Sequence, residues 1–113
     1  MSKLDDHTQL QHMLDAARQA QCFMQGRRRD DLDTDPMLRL AVVKTIEIIG
    51  EAASKVSKER QSTLPQIPWP SIISMRNRLT HAYFDINTEI VWKTVIEDLP
   101  PLIQILNDTL LSG

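Results

Sequence analysis

Residues 76–83 read Arg-Asn-Arg-Leu-Thr-His-Ala-Tyr, which puts two permanent cations, an amide, an imidazole and a phenol within about two helical turns. Elsewhere the polar residues are scattered as on a solvated helix surface, so this stretch is where chemistry is to be sought. A guanidinium holds phosphate oxygens in a fork and steadies charge that develops on them. An imidazole, with an ordinary pKa of about 6.5, can take a proton from one oxygen and deliver one to another. RNA carries its own nucleophile, the ribose 2′-hydroxyl. If His81 deprotonates it and Arg76 steadies the phosphorane, the strand is cut by transesterification, leaving a 2′,3′-cyclic phosphate and a 5′-hydroxyl. That reaction calls for neither metal nor other cofactor. The two early histidines, His7 and His12, are five apart and face different ways on a helix, so they read as surface residues rather than metal ligands.

Geometry limits how these groups can meet. At about 100° per residue, Asn77 and His81 share a helix face, whereas Arg76 and His81 differ by about 140°. The arginine stem could wrap round, the helix could fray after Leu79, or a second copy could bring its own set. The third is preferred, because a two-fold axis sets like residues side by side. The bland alternatives stay open: surface polar groups or bundle hydrogen bonds for Arg76, Asn77, Arg78 and His81, and a core aromatic for Tyr83.

The elements that would position this segment follow from apolar spacing. Leu10, Met13, Leu14, Ala17, Ala20 and Met24 form a stripe that predicts a first helix from Leu4 to about Gln25, stopped by Gly26. Arg27 to Asp31 reads as a solvated connector. Asp35-Pro36 is a strong helix start, and Leu38, Val42, Ile46, Ile49, Ala53 and Val56 then step by four and three, with Ile48 and Ala52 beside them. A helix apolar on two sides belongs at the centre of the bundle, of a dimer, or of both. Gly50 within it points to close approach of another backbone, and Glu51 with Lys55 to a surface ion pair. Pro65, Pro68 and Pro70 mark 57–70 as a loop, with Trp69 as an anchor. A third helix is expected from Pro70-Ser71 to Tyr83 or Phe84, with Ile72, Met75 and Leu79 on its buried side. Asp85 and Asn87 are turn or cap residues before a fourth helix from Glu89, and Asp98 with Pro100-Pro101 opens a fifth carrying Leu102, Ile103, Ile105, Leu106 and Leu110. Strict alternation is absent, so the expected fold is all-α, a compact bundle of four to five helices forming one domain over 1–113.

Composition narrows the function classes. The chain has 113 residues, 42% of them hydrophobic, enough for one core that would gain from pairing with a second copy. A formal net charge of −2 argues against coating nucleic acid by bulk electrostatics, so any polyanion must be met locally. The single cysteine, Cys22, lies on an apolar helix pattern and reads as a buried, inert thiol. Neither a signal peptide nor a membrane span is recognisable, which predicts a soluble, cytoplasmic protein.

Arg76-Asn77, His81 and Tyr83 together resemble the Arg-x4-His-x-Tyr signature of the HepT-type toxins in the HEPN superfamily. The resemblance extends over nearly the whole chain, through residues 46–52, Ile67-Pro68-Trp69, residues 75–79, Ile90-Val91-Trp92 and residues 97–100. It implies a HEPN helical bundle that dimerises with its Arg/His motifs at the interface and acts as a metal-independent endoribonuclease, the toxin of a type VII-like toxin–antitoxin system. It also implies a partner, a minimal nucleotidyltransferase (MNT-type) antitoxin that transfers AMP units from ATP to the motif tyrosine, by position Tyr83. The chain departs from the pattern at Ala82, where many relatives carry Gly. On this footing Arg76 and His81 are the catalytic pair and Asn77 and Arg78 orient the substrate. The alternative is a non-catalytic helical module that binds a nucleotide or the nucleotidyltransferase.

Overall fold

The computed structural model describes residues 3–79 and 86–112, except for the side chains of Lys3, Leu4, Arg76 and Leu79. Among these residues the chain is helical with no β-strand, as its apolar spacing predicts. The first helix, α1 (Lys3–Met24), ends at Gly26, whose φ of 74° is the left-handed conformation that glycine adopts without steric cost. Leu10, Met13, Leu14, Ala17, Ala20 and Met24 are all buried. Cys22 is not. It lies exposed on the flank of the stripe, because a few residues' shift around the helix carries a side chain from core to solvent.

Two segments expected as loops contain short helices. In the charged connector, α2 (Arg29–Thr34) forms because Leu32 is completely buried and the Asp31 carboxylate accepts from the Arg28 N–H at 2.7 Å. In the proline-rich stretch, α4 (Lys58–Ser62) starts at Ser57, whose hydroxyl accepts from the Arg60 N–H. Elements of five or six residues carry too little periodicity to be read locally, and tertiary contacts hold them.

The central helix is α3 (Pro36–Lys55), capped as predicted by the Asp35 carboxylate, which accepts from the Leu38 N–H at 3.1 Å. It packs along α1 and also touches α2 and the helical segments at 69–79 and 88–93. The two long helices are antiparallel, since Asp6 near the start of α1 reaches Ser57 just beyond the end of α3. Arg18 of α1 in turn donates to the Asn107 side chain at 2.8 Å, clamping the last helix, α8 (Leu99–Leu111), alongside.

The expected third helix is two pieces, α5 (Trp69–Ile73) and α6 (Met75–Leu79), broken at Ser74, whose backbone sits at φ −89°, ψ 0°. That conformation lies between the helical and extended basins and turns the chain. Trp69 anchors the start of α5, buried and donating from its indole nitrogen to the Leu64 carbonyl at 3.1 Å. Beyond residues 80–85, Asn87 caps α7 (Thr88–Lys93) by accepting from the Ile90 N–H. Asp98 does not cap the last helix; instead the widened π-helical turn Thr94–Asp98 joins α7 to α8. Pro100 and Pro101 cannot donate and crowd the carbonyls a turn earlier, and a wider turn accommodates both defects.

Candidate active site

Met75 and Ile72, both buried, fix the α5–α6 corner against α3, and Gly50 makes the approach possible. A Cβ at Gly50 would stand 3.1 Å from the Ile72 carbonyl oxygen and 3.4 Å from that of Ile73. The absence of a side chain at residue 50 therefore sets how closely the motif-bearing segment lies on the central helix. On its far side the segment meets α7, which two side-chain links tie to α2. Arg29 pairs with Glu89, and the Thr88 hydroxyl donates to Asp33 at 2.6 Å. Arg29 also lies 3.4 Å from Asp30 and 3.8 Å from Asp33, and the Glu89 hydrogen bond and charge raise its already high pKa.

Of the predicted site residues, Arg76 is the second residue of α6 by its backbone. Asn77 and Arg78 are exposed and neighbouring, yet they border different hollows. Asn77 lines a groove of about 460 Å³ between α1, α3 and the α5–α6 corner. Arg78 lines a second hollow of about 350 Å³ between α5–α6 and α8, and its guanidinium donates to the Ser71 carbonyl at 3.3 Å. A step of about 100° per helical residue separates the two directions. His81 and Tyr83, together with Ala82 and Asp85, lie outside the described residues.

The Asn77 groove holds groups that the motif does not announce. Ile48 and Ile73 give it apolar lining, Gln9 and His12 line it from α1, and Lys44, Glu47, Glu51 and Lys55 line it from α3. His7 and His12 are both exposed, as their spacing predicts, but only His12 lines this groove. The sequence carries part of the signal: Gln9 and His12 are three apart on α1, as Lys44 and Glu47 are on α3, so each pair shares a face. Only the docking of α1 and the α5–α6 corner against α3 brings the two faces to one groove. The predicted Glu51–Lys55 pair is present at the groove rim, at 3.7 Å.

No helix among the described residues is long and apolar enough to cross a membrane. A family profile described as "Ribonuclease HepT-like" matches residues 13–109, which includes every motif residue. A protein named "Putative RNase" from Caldanaerobacter subterraneus is 36% identical over 93 residues, covering 82% of this chain and 83% of that one. Another so named, from Methanocaldococcus jannaschii, is 33% identical over 102 residues, covering 90% and 94%. A "Probable ribonuclease HepT" from Thermococcus cleftensis is 40% identical over 73 residues, covering 65% and 66%. No solved structure matches. With a helical bundle in which α6 carries the start of the motif, and a match over most of its length, the chain belongs to the HepT-like ribonuclease family.

Proposed function

We propose that this protein is a metal-independent RNA endonuclease and the toxin of a type VII-like toxin–antitoxin pair, acting as a homodimer. His81 exchanges protons with the 2′-hydroxyl and the leaving 5′-oxygen, and Arg76 binds the scissile phosphate and steadies the charge of the phosphorane. Asn77, exposed at the groove rim, orients the strand. Arg78 borders the opposite hollow, so its orienting role is to hold strand that passes over that side. The observation that carries this reading is the ribonuclease-family match, whose span of residues 13–109 includes 76–83. Pairing of two copies is supported by exposed Met37 and Leu40, which lie on one side of α3. The antitoxin, a minimal nucleotidyltransferase, silences the enzyme by transferring AMP from ATP to the Tyr83 hydroxyl, with pyrophosphate released. The added phosphodiester charge beside Arg76 would repel RNA phosphate and occupy its cation.

Cleavage of RNA by the wild type, His81→Ala and Arg76→Ala in the presence of a chelator tests the mechanism. Each variant should lose about a hundredfold or more in rate, the contribution of one positioned proton-transfer or charge-stabilising group. Equal rates in all three would remove the reading. Incubation with the partner enzyme and ATP should add AMP to the wild type and not to Tyr83→Phe, read by mass spectrometry.

A further inference from the structure

The groove bordered by Asn77 is not a phosphate site. Its charged side chains, Lys44 and Lys55 against Glu47 and Glu51, cancel, and Lys55 is already paired with Glu51. A concavity lined by two isoleucines, by charges that cancel and by several hydrogen-bonding groups suits a flat, uncharged, polar-edged ligand instead. Within an RNA strand that ligand is a base, whose faces stack on apolar surface and whose edges are read by amides and carboxylates. The volume of about 460 Å³ leaves ample room for one.

Glu47 decides which base. It is half-buried on the groove wall and has no hydrogen bond or ion pair among the described residues, unlike Glu51. An ionised carboxylate only accepts hydrogen bonds, and its two oxygens are best satisfied by two adjacent N–H donors. Of the four RNA bases, only guanine carries an N–H and an amino group side by side on its pairing edge. Gln9 and Asn77 amides can donate to the carbonyl and ring-nitrogen acceptors that the same base presents. His12, exposed on the α1 wall, offers a ring for stacking.

We infer that the α1–α3 groove is a guanine-reading subsite, with Glu47 as the residue that selects the base held beside Asn77. This rests on the proposed ribonuclease function, in that it needs RNA to lie along α6, but its test does not need cleavage. Uncleavable 2′-O-methyl RNA hexamers of each base, labelled for fluorescence anisotropy, are titrated with the full-length protein. The wild type should bind the guanine strand about fivefold or more tightly than the weakest, the discrimination expected of one or two net hydrogen bonds. Glu47→Gln and Gln9→Ala should bring that ratio below about twofold, since Gln offers one acceptor where the carboxylate offers two. Glu59→Gln, on α4 and away from the groove, is the control and should keep the wild-type ratio, and circular dichroism checks that each variant is folded. A wild type without guanine preference, or a ratio unmoved in both groove variants, overturns the inference. Cleavage assayed on the same preparations separates the two ideas: guanine preference in a protein that leaves RNA intact would remove the enzyme and keep the subsite.

Discussion

Asp6 is the buried charge on which the junction of three helices depends. Its two oxygens accept from the Ser57 N–H at 2.8 Å and the Ser57 hydroxyl at 2.7 Å, so one side chain of α1 organises the residue that caps α4 just past the end of α3. Burial pushes its pKa up, but the two Ser57 hydrogen bonds and the Arg60 charge outweigh it and leave the carboxyl below its ordinary value. A lowered folded-state pKa means stability that is present above the unfolded value, about 3.9, and is lost as pH falls through the folded one. Asp6→Asn keeps the shape and one acceptor but removes the charge, and should cost about 2 kcal/mol at neutral pH, the range for hydrogen bonds to an ionised group. Urea denaturation of both proteins at pH 7 and again near pH 3 checks the sign: the gap should shrink in acid. A gap that widened there would mean that the carboxyl is not held ionised by Ser57.

At the level of elements, the α3–α5 contact decides where the motif begins. Alanine at residue 50 would favour the helix by about 1 kcal/mol over glycine. Against this, its methyl would meet the Ile72 carbonyl at 3.1 Å, just before the corner where the Ser74 N–H donates to the Pro70 carbonyl and α5 turns into α6. Overpacking of this kind costs about 1 to 3 kcal/mol, so Gly50→Ala should be destabilising by about 1 kcal/mol and Gly50→Leu by more, with RNA cleavage falling in step. A Gly50→Ala protein of raised melting temperature and full activity would show that the corner yields freely. For α2 the comparison runs between charge and burial. The Arg29–Glu89 pair is about half exposed and solvent screens it, so it should contribute little, whereas Leu32→Ala empties a fully buried site and should cost about 3 kcal/mol. Thermal melts of Glu89→Gln and Leu32→Ala rank them.

For the molecule as a whole, what could be read from the sequence is what repeats locally. The stripe of α1, the seam of α3, the Asp35-Pro36 start, the close approach at Gly50 and the Asn87 cap each depend on residues within a few turns. The break at Ser74, the helices around Leu32 and after Ser57, the exposure of Cys22 and the separation of Asn77 from Arg78 depend on where distant helices dock, and no local pattern encodes that. The same reasoning bears on pairing. Leu40 is 55% exposed and Met37 83%, on a helix whose other sides are buried, while the formal charge of −2 does little to keep copies apart. An apolar strip on a small bundle is the kind of surface that a two-fold contact covers, and in the proposed enzyme the same contact brings a second Arg76 and His81 to the cleft. Leu40→Glu puts two like charges across the axis without touching the core. Sedimentation should show the wild type as a dimer and Leu40→Glu as a folded monomer, with RNA cleavage lost although Arg76 and His81 are intact. A monomeric Leu40→Glu protein that cleaves at the wild-type rate would place the whole site within one chain, and a dimeric one would move the contact to another face.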